Sequence, residues 1–167
     1  MKRKITLVIS SAALLTTVLI AGGCGSSAGG PAYGSGQPAT TVRASGAAQV
    51  GAADSALGRI VVDNGRRTLY AFEKDENGRT DCSGQCATYW PPLLTSDQPV
   101  AGVSVMQSLL GTTRRANGTT QVTYAGHPLY RFFEDRKPGE TKGEGSQDFG
   151  AEWYVLSPTG VRIESDD

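Results

Sequence analysis

Two copies of one short pattern, 60 residues apart, constrain this chain more than anything else in it. Residues 69–75 read Leu-Tyr-Ala-Phe-Glu-Lys-Asp and residues 129–135 read Leu-Tyr-Arg-Phe-Phe-Glu-Asp. Aligned on Leu-Tyr, they give Tyr70-x-Phe72-x-x-Asp75 and Tyr130-x-Phe132-x-x-Asp135. Each copy is followed, after a polar glycine-bearing loop, by a tryptophan segment, Tyr89-Trp90 and Trp153-Tyr154. Recurrence on this scale marks duplicated supersecondary units that share one core.

Side chains alternate across a strand, so Tyr70 and Phe72 share one face while Leu69 and Ala71 take the other; Tyr130 and Phe132 stand in the same relation to Leu129. Asp75 and Asp135 fall just past the strand ends, where a carboxylate accepts backbone N–H bonds and closes a turn. The aromatics then read as core. The functional alternative is a pair of aromatic platforms with an acidic rim, for a ring-shaped or hydrophobic ligand, with Trp90 and Trp153 as further candidate contacts.

The rest of the chain agrees with a mostly β reading. Ile60-Val61-Val62, the turn residues Asp63-Asn64-Gly65 and the run Thr68 to Phe72 read as a hairpin. Thr112-Thr113 and Thr120 to Tyr124 flank Asn117-Gly118, which is better explained as a type I′ turn than as a glycosylation site. Ala125-Gly126 leads to a strand-like run from Leu129 to Phe133. Trp153 to Leu156 and Val161 to Ile163 flank a last turn. Helical signal is confined to one turn at Cys86 to Tyr89, stopped by Pro91-Pro92, and a piece around Val105 to Leu110. The expected fold is a single small domain of antiparallel hairpins built from two repeats, with one or two short helices.

The N-terminal part belongs to another category. Lys2-Arg3-Lys4, an apolar run from Ile5 to Ile20, and the small residues Ala21-Gly22-Gly23 form a secretory signal over residues 1–23. The run is short of the roughly 20 apolar residues a membrane span needs, and several Ser and Thr interrupt it. Cys24 at its end resembles the lipobox cysteine of bacterial lipoproteins, whose thiol is acylated; Ala21 departs from the usual Leu. Two or three acyl chains anchor far more firmly than one, at about 0.8 kcal/mol per buried methylene. Residues 24–57 are Gly-, Ser- and Ala-rich and read as a disordered tether. The domain is expected over 58–163 and an acidic tail over 164–167.

Removing Lys2, Arg3 and Lys4 leaves 13 Lys and Arg against 16 Asp and Glu, a mildly acidic mature chain. Nucleic acid calls for a basic face and is excluded as a partner; the lipid, rather than a polybasic patch, would hold the protein at the membrane. Cys82 and Cys86 remain as a pair, and in an exported protein a disulfide is the default.

The repeat, together with Cys82-Ser83-Gly84-Gln85-Cys86, Tyr89-Trp90-Pro91-Pro92-Leu93 and Gly126-His127-Pro128-Leu129-Tyr130, resembles the secreted-repeat lipoproteins with a Tyr-x-(Phe/Trp/Tyr)-x-x-Asp motif, common in actinobacteria. The resemblance covers about residues 58–157. It implies a secreted module of unknown function. Relatives are sometimes associated with alkane catabolism, which nothing in these residues supports independently.

The chemistry-bearing residues do not assemble into an enzyme on paper. His127 is the only histidine, set in a turn, and no Gly-x-Ser-x-Gly elbow is present. Asp75, Glu76, Asn77 and Asp81 lack calcium-loop spacing. Cys82, Cys86 and His127, with Met106 as a weak fourth, offer a soft donor set for Cu(I); the alternative function is therefore a copper or thiol-redox carrier. No catalytic residue, metal or cofactor is assigned. The favoured expectation is a lipid-anchored, extracytoplasmic, non-catalytic binding or structural module. Its partner would be a cell-envelope protein or a hydrophobic small molecule.

Overall fold

Ile60, Val61 and Val62 are nearly or fully buried although their side chains point to opposite faces. Ile60 and Val62 enter one hydrophobic cluster with Tyr70, Phe72, Tyr130, Phe132, Trp90 and Trp153. Val61 enters a second cluster with Leu69, Ala71, Leu129, Val122 and Tyr124. Period-two alternation thus sorts each motif strand's aromatics into one core and its aliphatics into the other. Burying each large apolar side chain contributes about 1.5–3 kcal/mol, which outweighs the weak pairing of such short strands.

The computed structural model describes residues 46–163, and these lie within one compact unit. The first sheet joins β1 (Gln49–Ser55) antiparallel to β2 (Gly58–Asp63). The two-residue β4 (Val100–Ala101) lies parallel on the other edge of β1. In the second, β3 (Tyr70–Phe72) runs antiparallel to β8 (Trp153–Val155), with Phe72 opposite Trp153. The third is the antiparallel series β5 (Leu110–Arg114), β6 (Thr120–Tyr124) and β7 (His127–Pro128). A single helical turn, α1 (Cys86–Tyr89), and two 3-10 turns at 107–109 and 148–150 complete the elements. The expected fold class is what the chain adopts.

Three local expectations need correction. The tether was expected to run to residue 57, yet β1 occupies Gln49–Ser55 and pairs with β2 over six residue pairs. Only Val50 of this strand is a fully buried large apolar residue, so backbone bonding rather than side-chain burial holds it. The first hairpin closes through the Val62–Thr68 bridge and the Leu69 N–H to Val61 carbonyl bond, then leaves its partner, and β3 pairs with β8 instead. The type I′ turn is misplaced as well. Ala125 and Gly126 take it, both at positive φ between the paired Tyr124 and His127. At the other site only Gly118 is left-handed, and bonds from Gly118 N–H to Arg115 and Arg115 N–H to Thr119 make a three-residue loop.

The lipidation candidate Cys24, the signal, the first part of the tether and the acidic tail lie outside the described residues. Among the described residues, no helix is long and apolar enough to cross a membrane.

Candidate functional site

The motif residues of the two repeats do not each close on themselves; they exchange partners. The Tyr70 hydroxyl donates to Asp135 Oδ2 at 2.6 Å, and the Tyr130 hydroxyl donates to Asp75 Oδ2 at 2.7 Å. The backbones repeat the reciprocity. Tyr70 N–H donates to the Tyr130 carbonyl at 2.8 Å, and Tyr130 N–H to the Tyr70 carbonyl at 2.9 Å. Each carboxylate also closes its own loop, as its position past the strand end implies. Asp75 Oδ1 accepts the Asp81 N–H at 2.7 Å and Asp135 Oδ1 accepts the Lys142 N–H at 3.1 Å.

The two phenylalanine rings follow the same exchange. Trp90 and Trp153 stack face to face, centroids 3.9 Å apart and planes 5° from parallel. Phe72 covers the outer face of Trp153 at 4.1 Å, and Phe132 that of Trp90 at 4.4 Å. Tyr70 and Tyr130 meet Trp90 and Trp153 edge-on at 5.4 and 5.1 Å. Every tryptophan face is occupied by a ring of this chain, and both indoles are fully buried. The platform reading of Trp90, Trp153 and the motif aromatics therefore fails, because packing ring on ring removes the open faces a ligand would need.

Burial sets the protonation of these groups. It is the main cause raising the Asp75 carboxyl, which the Asp81 N–H and the Tyr130 hydroxyl offset only in part. It raises Asp135 in the same way, against the Tyr70 hydroxyl and the Lys142 N–H. Both phenols are driven far above their ordinary range by burial and the adjoining carboxylates, so they remain donors.

Cys82 and Cys86 are joined in a disulfide, with Cα atoms 5.3 Å apart, inside the aromatic cluster. The buried Arg115 guanidinium donates to the Cys82 carbonyl and to Gln121 Oε1, and lies over the Tyr130 ring at 6.0 Å to its centroid. Sequence reasoning passed over Arg115 and Gln121, since a charged and an amide residue in a hairpin normally face water. With both sulfurs in the disulfide, the thiolate pair of the copper reading is not on offer here. His127 is half-buried, and its Nδ1 lies 3.3 Å from the Tyr154 hydroxyl; burial lowers its pKa. Met106 is half-exposed, with its N–H bonded to the Tyr124 hydroxyl. Among the described residues, no three His, Cys, Asp or Glu side chains gather as a metal ion would require.

A third buried carboxylate, Asp63, is absent from the sequence candidates except as a turn residue. It accepts Arg131 Nε at 2.7 Å, Arg67 Nη2 at 3.0 Å and the Gly65 N–H at 2.8 Å. Burial pushes its carboxyl up, but the Arg67 N–H and the two guanidiniums outweigh that and hold it below the usual carboxylate range. Arg131 thereby ties the second motif strand to the first hairpin.

Comparison with known proteins agrees with this two-part construction. A family model described as a secreted repeat of unknown function matches the chain twice, at residues 51–94 and 111–157. Neither the curated proteins nor the solved structures contain a significant match. The first matched segment holds most of β1, all of β2 and β3, the disulfide and Trp90; the second holds most of β5, all of β6 to β8 and Trp153. Secretion of the family places such a domain outside the cytoplasm. With two repeats matched over more than half its length, the chain belongs to the family of secreted repeats of unknown function.

Proposed function

We propose that this protein is a lipid-anchored, non-catalytic module that binds or presents a component of the cell envelope. One observation carries the reading: the hydroxyls and carboxylates of both motifs are paired with each other inside the core. Groups committed in this way serve architecture, and what is left for recognition is the set of loops around the core. Cys24, at the junction of a secretory signal and a Gly- and Ser-rich segment, supplies the anchor.

Intact-mass analysis of the native protein should find a diacylglyceryl group on Cys24 as the first residue, and Cys24→Ala should free the protein from the membrane. An unmodified chain beginning at Met1 contradicts the anchor. Turnover of a bound compound, abolished by Asp75→Asn or Asp135→Asn in a folded variant, contradicts the non-catalytic role.

A further inference from the structure

Three aromatic side chains escape the core and gather on one surface. Tyr89, Phe133 and Phe149 are each more than a third exposed. Tyr89 meets Phe133 at 4.8 Å in an edge-to-face contact and Phe149 at 6.2 Å with a 50° tilt. They come from separate parts of the chain: the last residue of α1, the residue after Phe132, and the 3-10 turn at 148–150. Tyr89 and Phe149, with Gln85 and Asp148, line a cavity of about 270 Å³ that is open to solvent.

Phe149 is held in the left-handed region, at φ 63° and ψ 19°. For a bulky residue this costs on the order of 1–3 kcal/mol and persists only where neighbours enforce it. They do so here. Lys74 Nζ donates to the Phe149 carbonyl at 3.0 Å and Trp153 Nε1 to the Asp148 carbonyl at 3.0 Å. The loop is thus fastened to the central tryptophan stack, which keeps the Phe149 ring beside Tyr89. Gln85 precedes α1, makes no side-chain capping bond and lines the cavity.

We propose that this cavity binds a neutral saccharide, one or two sugar rings at a time. The inference rests on the reading of the domain as an envelope-binding module. A sugar ring has apolar C–H faces and a rim of hydroxyls. The negative faces of Tyr89 and Phe149 attract C–H groups. The Asp148 carboxylate accepts from hydroxyls, and the Gln85 amide both donates and accepts. The volume falls just below the roughly 300–1,000 Å³ of drug-sized sites, a scale suited to a small ring rather than an acyl chain. A quaternary ammonium would also suit aromatic faces beside a carboxylate, but Lys74, bonded to the Phe149 carbonyl, sets a cation at that loop.

The test uses the full mature chain in detergent, titrated with neutral mono- to tetrasaccharides of glucose, galactose, mannose, arabinose and N-acetylglucosamine, and with tetramethylammonium. Chemical shifts are followed in amide and aromatic NMR spectra. At least one saccharide should perturb Gln85, Tyr89, Phe133, Asp148 and Phe149 together. Tyr89→Ala and Asp148→Asn should each weaken that binding about three- to tenfold. Phe149→Gly should lose binding while the melting temperature holds or rises, because glycine relieves the left-handed residue. Silence across the saccharide panel, shifts confined to another surface, or preference for tetramethylammonium overturns the proposal. Lipidation of Cys24 is read separately by mass, so an anchored protein that ignores saccharides refutes only this site.

Discussion

Tyr70 reaches past the aspartate of its own motif and donates its hydroxyl to Asp135, 65 residues further along the chain, at 2.6 Å. Tyr130 does the converse with Asp75. Each repeat therefore supplies the acceptor the other requires, and each also supplies the phenylalanine that covers the other's tryptophan. Neither repeat can satisfy its buried hydroxyl or enclose its indole alone.

Fragments 46–104 and 105–163 should accordingly be unfolded in isolation, with collapsed amide spectra, and should gain dispersed spectra when mixed. A buried phenol without its partner costs about 1–3 kcal/mol, and each fragment would also expose its aromatic face. A fragment that melts cooperatively alone would contradict the exchange.

Reduction of the Cys82–Cys86 bond should lower stability by about 2 kcal/mol, the chain-entropy value for so small a loop. For a domain of this size that is on the order of 10 °C in Tm. Scanning calorimetry with and without reductant checks it. Arg115→Met, which releases the Cys82 carbonyl, should destabilise the oxidised protein as well.

The acid limb of stability should belong to Asp63. Its folded pKa is lowered, so its contribution is present above the unfolded carboxylate value of about 3.9 and is lost as pH falls through the folded value. Asp75 and Asp135 are raised, so their contribution is fully present below that unfolded value and is lost as pH rises through theirs. Asp63→Asn should cost about 2–3 kcal/mol at pH 7, with the cost fading toward pH 3. Urea titrations of both proteins across that range measure it. A cost that does not change with pH would contradict the assignment.

Gly143 faces the indole so closely that a Cβ there would lie 2.6 Å from Trp90 Cη2. Gly143→Ala should therefore cost about 1–3 kcal/mol through overpacking. Gly51→Ala, whose Cβ would meet only backbone at 3.7 Å, should stay within about 0.5 kcal/mol in the same denaturant titration.

The strand faces, the α1 turn and the loop-closing role of the aspartates were legible because each follows from local spacing: period two, a proline stop, a carboxylate past a strand end. The exchanged partners were not, since nothing local distinguishes Asp135 from Asp75 as the acceptor for Tyr70. β1 escaped notice because its Gly-Ala-Ala-Asp-Ser stretch lacks the β-branched residues that usually signal a strand. Asn117-Gly118 misled because a three-residue loop needs positive φ only at its glycine, whereas Ala125 is forced into that region by its neighbours. Its N–H bonds the Leu109 carbonyl at 2.8 Å, and Gly160 packs so close that a Cβ there would lie 2.4 Å from the Ala125 Cβ. The surface aromatics Tyr89, Phe133 and Phe149 were invisible as a group, being assembled only by the tertiary fold.

The central claim is the exchange itself, and a pair of double-mutant cycles tests it most directly. Tyr70→Phe is combined with Asp135→Ala in one cycle and with Asp75→Ala in the other, each read by urea unfolding. The expected coupling is about 1–2 kcal/mol with Asp135 and within about 0.5 kcal/mol of zero with Asp75. Coupling of Tyr70 to Asp75, or none to Asp135, would contradict the account.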